Sequence, residues 1–190
     1  YCFYADLKGA FDGIFHEVLY EKMENIGLSE KFIKCVKSIY QPAFATVKTP
    51  NGYTSPININ SGVLQGESLS PSLFNIAIND LPEALDQAFT SPVTLGNKKV
   101  HALMYADDVC VMAYSKDSLQ AKMNALKRFF SKNKLVLNTS KSKVVVFSVS
   151  RNFPKSLHFK WGHDKIEIVS EYKYLGVTFF GNGNLARNSK

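Results

Sequence analysis

Asp6 and the adjacent pair Asp107 and Asp108 are the residues whose settings in this 190-residue chain most need a chemical explanation. Asp6 sits in the apolar run Cys2-Phe3-Tyr4-Ala5-Asp6-Leu7, and Asp107-Asp108 interrupt a stretch from Val100 to Tyr114 that is apolar on both parities. An unpaired carboxylate buried in such a run costs on the order of several kcal/mol. A solvent-exposed hairpin turn would carry the Asp-Asp pair at no such cost. Two strand-borne acidic sites also suit a shared divalent cation, and hard oxygen ligands without His or Cys favour Mg²⁺ or Mn²⁺. Two such ions stabilise the attacking and leaving oxygens of an in-line phosphoryl displacement, the chemistry of polymerases and nucleases. Composition does not separate those two classes.

The elements that position these acids follow from periodicity and caps. Residues 1–7 alternate as a buried strand, and Asp12 is expected to cap a helix carrying Val18, Leu19, Met23 and Ile26 that stops at Gly27. Ser29 caps a second helix with Phe32, Ile33, Val36, Ile39 and Tyr40 on one face and Pro42 beyond its end. Thr46–Lys48 and Ile57–Asn60 read as short strands flanking the turn signal Asn51-Gly52. Ser70-Pro71 supplies a cap and first-turn proline for a helix through Leu73, Phe74, Ile76, Ala77 and Leu81 that ends near Pro82. The stretch holding Asp107-Asp108 fits two strands joined by a tight turn. Ser115 to Lys132 returns to helical spacing, with Leu119, Met123, Leu126, Phe129 and Phe130 inward, lysines outward and Asn133 as a left-handed C-cap. Strands then dominate: Leu135–Leu137, Lys143–Ser148, Leu157–Lys160, Lys165–Val169 and Tyr174–Phe179, with Gly162 near a turn. The fold class is α+β, an antiparallel sheet covered by helices, with a polar, frayed tail from Gly181 to Lys190.

With 45% apolar and 13% aromatic residues, the chain can build a sizeable core, which excludes intrinsic disorder. No run approaches the roughly 20 apolar residues of a membrane-spanning helix. The chain opens on Tyr1 without a leader, and its first residues read as strand interior, so it is expected to be a piece of a longer protein. Cys2, Cys35 and Cys110 lack CxxC spacing and lie among apolar neighbours, which points to free core thiols in a reducing, intracellular compartment and away from zinc. The net charge of +7 is uneven: residues 1–100 hold 8 Lys+Arg against 10 Asp+Glu, and residues 101–190 hold 15 against 6. The densest part, Lys116 to Lys160, has 11 basic residues and one acid, Asp117. It reads either as a solvated helix face with a basic loop or as a surface for a polyanion.

Three ordered segments carry a resemblance to the reverse transcriptases: Tyr4-Ala5-Asp6-Leu7-Lys8-Gly9-Ala10-Phe11-Asp12, Ser61-Gly62-Val63-Leu64-Gln65-Gly66-Glu67-Ser68-Leu69-Ser70-Pro71 and Tyr105-Ala106-Asp107-Asp108. Leu137-Asn138-Thr139-Ser140-Lys141-Ser142-Lys143 and Tyr172-Lys173-Tyr174-Leu175-Gly176-Val177 are similar to later motifs of the family. Their order and wording most resemble retrotransposons without long terminal repeats. The Tyr-Ala-Asp-Asp tetrapeptide alone would be weak; five ordered motifs reaching to about Phe180 are not. Leu64 and Glu67 depart from the commonest family wording, which has Pro before the glutamine and Ser or Asp after the glycine.

The resemblance implies a polymerase palm with part of the fingers over residues 1–180 and no thumb, followed by a polar tail at 181–190. It implies RNA-directed DNA polymerase activity on an RNA template, a DNA primer and deoxynucleoside triphosphates, with two Mg²⁺ ions that Mn²⁺ can replace, and a nuclear setting. Asp6 and Asp107 would bridge the metals, with Asp108 as a weaker ligand and the Leu7 carbonyl completing a shell. Phe11 would select deoxynucleotides by excluding a 2′-hydroxyl; from burial statistics alone it is a core aromatic. Gln65 and Gly66 would contact the nucleotide, Lys141 in preference to Lys143 would approach the triphosphate, and Tyr174, Leu175 and Gly176 would grip the primer end. Asp12 stays outside the catalytic set as a helix cap. A non-catalytic, nucleic-acid-binding remnant of a retroelement is the alternative. Lacking finger strands and a thumb, the isolated chain is expected to polymerise poorly.

Overall fold

A computed structural model describes residues 1–41, 43–64, 66–148, 156–183 and 185–186. In chain order the elements are β1 (Cys2–Ala5), α1 (His16–Asn25), α2 (Glu30–Tyr40), β2 (Phe44–Ala45), β3 (Lys48–Thr49), β4 (Gly52–Tyr53), β5 (Ile57–Asn58) and α3 (Ser70–Ile78). They continue with α4 (Leu81–Asp86), β6 (Val93–Leu95), β7 (Lys98–Val100), β8 (Ala102–Tyr105), β9 (Asp108–Met112), α5 (Lys116–Lys132) and β10 (Lys143–Val145). The last are β11 (Phe159–Trp161), β12 (Asp164–Val169), β13 (Glu171–Tyr174), β14 (Val177–Phe180) and β15 (Leu185–Ala186). The chain forms two compact units, one of Tyr1–Lys8 with Asp80–Lys190 and one of Gly9–Asn79. Among the described residues, no helix is long and apolar enough to cross a membrane.

The first unit is built on a six-stranded sheet in the order β11-β12-β10-β1-β9-β8. Its pairs are antiparallel except β10 with β12, so the expected antiparallel α+β sheet carries one parallel pair. Alternation along β1 assigns two faces. Phe3 meets Trp161, which meets Phe130 of α5. On the other face Tyr4 stacks on Tyr172 of β13 at 4.4 Å and joins Cys110, Met112, Val145 and Tyr174 in a core cluster. The α5 face of the sheet is covered by Leu119, Met123, Leu126, Phe129 and Phe130, all buried as the spacing predicts. Ser115 caps α5 through a bond from the Ser118 N–H.

Lys122 overturns the expectation of outward lysines. Its side chain is 0% exposed, and its ammonium donates to the carbonyls of Met112 at 2.6 Å and Ser91 at 3.1 Å. Burial pushes its pKa below the usual lysine range. Asn133 does not take the left-handed cap. Its φ is −92°, its amide donates to the Phe129 carbonyl at 2.8 Å, and Lys134 adopts φ 57° instead. Leu135–Leu137 forms only a bridge, Leu7 to Leu137, and Tyr174–Phe179 is a hairpin rather than one strand. Leu175 (φ 48°) and Gly176 (φ 81°) turn it, the pair of positive φ values that a type I′ hairpin turn requires. The tail is held at its start. The Gly181 N–H donates to Ser170, its carbonyl accepts from Ser148, and β15 pairs with β14. Cys2 and Cys110 lie on neighbouring strands and are free thiols in or beside the core as expected, but Cys35 is exposed.

In the second unit α1 begins at His16 rather than after Asp12, with Phe15 at its N-cap and no side-chain cap. The chain turns through Gly9–Gly13 and then pairs Phe15 with Ser61, so the first helical N–H is met by the Asn60 carbonyl at 3.2 Å. Gly62, at φ 94°, packs so closely that an added Cβ would lie 3.3 Å from the Asp12 Cα. The His16 imidazole donates from Nε2 to the Gly62 carbonyl at 2.7 Å. The stop at Gly27 and the Ser29 cap are as read. Ile33, Val36 and Tyr40 are buried, but Phe32 and Ile39 are exposed, so the apolar stripe of α2 is narrower than its sequence. Pro42 lies outside the described residues. The Asn51-Gly52 region does form a hairpin, with Pro50-Asn51 between β3 and β4 and β2 paired to β5 outside it. Ser70 is the first residue of α3 rather than its cap, its hydroxyl donating to the Leu64 carbonyl at 2.5 Å. α3 ends at Ile78, and Leu81-Pro82 opens α4 because proline suits a helix's first turn better than its interior.

Replacing Lys122 with Met keeps the apolar stem but strips both buried carbonyls of their donor. Urea unfolding should show a loss of about 2 to 3 kcal/mol, against less than about 0.5 kcal/mol for exposed Lys132→Met.

Candidate active site

Asp6 follows the last residue of β1, the central strand, and its backbone is fixed on the β10 side. Its N–H donates to the Ser142 hydroxyl at 3.0 Å, and its carbonyl accepts from the Asn138 N–H at 2.8 Å. Ser142 is 0% exposed, a positioning role with no signal in the sequence beyond its place in the Leu137–Lys143 motif. The Leu7–Leu137 bridge is of the kind in which the flanking residues, Lys8 and Asp6, make the hydrogen bonds. Leu7's own carbonyl therefore faces away from Leu137.

On the other side of β1, β8 and β9 form the expected hairpin around Ala106-Asp107, with Tyr105 opposite Asp108. Ala106 sits at φ 49°, a non-glycine residue in the left-handed region at the tip. Asp108, Cys110 and Met112 alternate onto the face of β1 that carries Tyr4 and Asp6. The sheet thus brings all three carboxylates to one end. Burial, then Asp107, then Asp6 push the Asp108 carboxyl above its ordinary value. Among the described residues no ion pair reaches Asp6, Asp107 or Asp108.

The hairpin of β13 and β14 lies against this face. Tyr174 is buried, and its hydroxyl donates between the carbonyls of Asp108 at 3.3 Å and Leu103 at 3.5 Å. Burial first, and then the charges of Cys110 and Asp108, push its phenol up to about 12. Burial, Asp6 and Asp108 raise Tyr172 as well. Leu175 and Gly176 are exposed at the hairpin tip. Lys143 is committed to Glu167 at 2.7 Å and to the Ser140 carbonyl, whereas Lys141 is exposed at the adjoining turn.

The donors at the carboxylate end are all hard oxygens, which fits Mg²⁺ or Mn²⁺ and not a thiophilic metal. Among the described residues no three His, Cys, Asp or Glu side chains already form a closed ligand group. The chemistry such a donor set supports is neutralisation and positioning of phosphate oxygens.

In the second unit Phe11 is half-buried and stacks on Phe74 at 4.9 Å. It lines an open groove of about 470 Å³ together with Gly66, Glu67, Ser68, Ser70 and Pro71. Phe11 and Gly66, both assigned to the nucleotide by the resemblance, line one concavity; Gln65 lies outside the described residues.

The chain is 26% identical over 189 residues to the Retrovirus-related Pol polyprotein from type-1 retrotransposable element R2 of Popillia japonica, covering 96% of this chain and 26% of that protein. It is 30% identical over 184 residues to the RNA-directed DNA polymerase from mobile element jockey of Drosophila funebris, covering 93% of this chain and 19% of that protein. Its fold matches a telomerase from Candida albicans, solved with a fragment of telomeric RNA, at a TM-score of 0.67 and 16% identity, covering 99% of this chain and 30% of that one. Residues 1–179 match the family described as Reverse transcriptase (RNA-dependent DNA polymerase), and the chain belongs to that family.

Proposed function

We propose that this chain performs RNA-directed DNA synthesis in retrotransposon replication, adding deoxynucleotides to a primer 3′-hydroxyl opposite an RNA template. The observation that carries the proposal is the convergence of Asp6, Asp107 and Asp108 on one end of the sheet, in a chain of this family. Asp6 and Asp107 would hold two Mg²⁺ or Mn²⁺ ions, with Asp108 beside them and the Leu7 carbonyl as a further oxygen. Such ions, when bound, lower the pKa of a hydroxyl nucleophile and neutralise phosphate charge.

The protein's own part is positioning, since phosphoryl transfer asks little covalent chemistry of it. Ser142 and Asn138 fix the backbone of Asp6, and Tyr174 ties the hairpin bearing Asp108 to the β13–β14 layer. Phe11, braced by Phe74, excludes a ribose 2′-hydroxyl, and Gln65 with Gly66 contacts the incoming nucleotide. Lys141 approaches the triphosphate, a role for which the engagement of Lys143 with Glu167 leaves it the better placed of the two. Leu175 and Gly176, at an exposed hairpin tip with Tyr174 behind them, hold the primer end.

Single-nucleotide primer extension on an RNA template with Mg²⁺ tests the metal site. Asp107→Asn should lower deoxynucleotide addition by about a hundredfold or more without weakening template binding. Undiminished addition would overturn the assignment, and template binding without addition by the parent sequence, even within a longer polypeptide that supplies further finger strands and a thumb, would make it a non-catalytic remnant. In the same assay Phe11→Ala should begin to incorporate ribonucleotides; unchanged sugar selection would remove Phe11 from the nucleotide site.

A further inference from the structure

The carboxylates share their sheet face with two lysines that the proposed reaction leaves without a role. Along β12, Ile166 is buried while Lys165 and Glu167 are exposed, and Val169, of the same parity, packs against the cluster of Tyr4, Cys110, Val145 and Tyr174. Lys165 therefore projects from the Tyr4 face. Its level follows from register. Glu167 pairs with Lys143, and Lys143 pairs with Tyr4. Because β12 runs parallel to β10 and β10 antiparallel to β1, two residues back from Glu167 and two residues on from Tyr4 lead to the same end of the sheet. Lys165 thus stands level with Asp6, two strand spacings away, about 10 Å, and Lys160, which pairs with Lys165, stands about 14 Å away.

The pairing of these lysines is unusually close. The Lys160 N–H donates to the Gln120 side-chain oxygen at 2.9 Å, and the Lys160 carbonyl accepts from the Gln120 amide at 2.8 Å. Both backbone groups point away from β12, so Lys160 and Lys165 form a non-hydrogen-bonded pair, the type in which opposed side chains stand nearest. Like charges directly opposite each other destabilise a sheet. Among the described residues neither ammonium is in an ion pair, whereas the next cation on that face, Lys143, is neutralised by Glu167 at 2.7 Å.

We propose that Lys160 and Lys165 act as a phosphate clamp for the polynucleotide backbone bound on the carboxylate face. The clamp rests on the polymerase reading for what lies on that face, but not on turnover. Two cations held at one sheet level by backbone pairing offer charge without base contacts, so the grip is independent of sequence. A bound phosphodiester relieves the repulsion that the empty pair carries.

The test is fluorescence anisotropy of a labelled RNA template annealed to a DNA primer, over a salt series, with the 190-residue chain. Lys160→Gln with Lys165→Gln should weaken binding and flatten the slope of log affinity against log salt by roughly 1.4 to 1.8, the loss of two neutralised phosphates. Lys165→Glu should weaken binding while leaving the thermal midpoint unchanged or raised, since it replaces a like-charge pair by opposite charges. An unchanged slope and affinity would overturn the clamp. So would unchanged template–primer affinity together with weakened equilibrium binding of a deoxynucleoside triphosphate to the preformed complex, which would assign the lysines to the nucleotide instead. Neither readout needs nucleotide addition, so loss of the clamp and failure of the Asp107-dependent reaction are seen separately.

Discussion

Three like-charged carboxylates held at one end of a sheet repel each other, and the first unit is organised around holding them there. The force that does so is backbone pairing. β1 lies between β9 and β10, so Asp6 extends from a strand whose direction is fixed on both sides, and β9 begins at Asp108 directly beside it. Repulsion cannot be relieved by sliding one strand, because a shift of one residue would turn Phe3 and Val111 out of the α5 core. Burial first, and then the charges of Asp107 and Asp6, hold the Asp108 carboxyl above its ordinary value. The apolar residues beneath thus do two jobs, supplying stability and fixing the register that concentrates charge.

Much of this was legible from sequence because its signals are local. The Asp107-Asp108 hairpin follows from two apolar runs broken by polar residues, the Ser29 and Ser115 caps from side chains that accept their own helix's N–H, and the buried stripe of α5 from 3.6-residue spacing. The failures are cases where tertiary partners replaced local ones. Asp12 looks like a cap, but pairing of Phe15 with Ser61 delivers the Asn60 carbonyl to the helix start, so no side chain is needed. Asn133 is a plausible left-handed residue, yet a buried side-chain bond to Phe129 holds it out of that region and passes the conformation to Lys134. Lys122 has the spacing of a core position and the chemistry of a surface one. Only the two carbonyls contributed from Ser91 and Met112, distant in sequence, show why a lysine is there.

The candidate site divides in the same way. Asp6, Asp107 and Asp108 were found because acids interrupt apolar strands, and Phe11 and Gly66 because of motif order. Ser142 and Gln120 were not found, because a small polar residue that serves a backbone group carries no pattern until the backbone it serves is placed. Gln120 is the clearest instance. On α5 it reads as an ordinary polar position, but its amide supplies both a donor and an acceptor to Lys160, closing the outer edge of β11 as another strand would.

The arrangement of charge on the sheet follows from how its faces are covered. α5 lies along one face and covers it with apolar side chains, apart from the buried Lys122. The β13–β14 hairpin covers only part of the other, packing Tyr172, Tyr174 and Phe179 onto Tyr4, Val145 and Val169. At the uncovered end, alternation along β1, β9 and β12 must place side chains in water, and the residues there are Asp6, Asp108, Lys165 and, across from it, Lys160. Opposite charges at such an end would ordinarily settle into neutral pairs, as Lys143 and Glu167 do. The register instead keeps acids on one side and bases on the other, about 10 Å apart, too far for direct pairing. A ligand carrying both metal-binding oxygens and a run of backbone phosphates satisfies both halves at once, which no rearrangement of these side chains does.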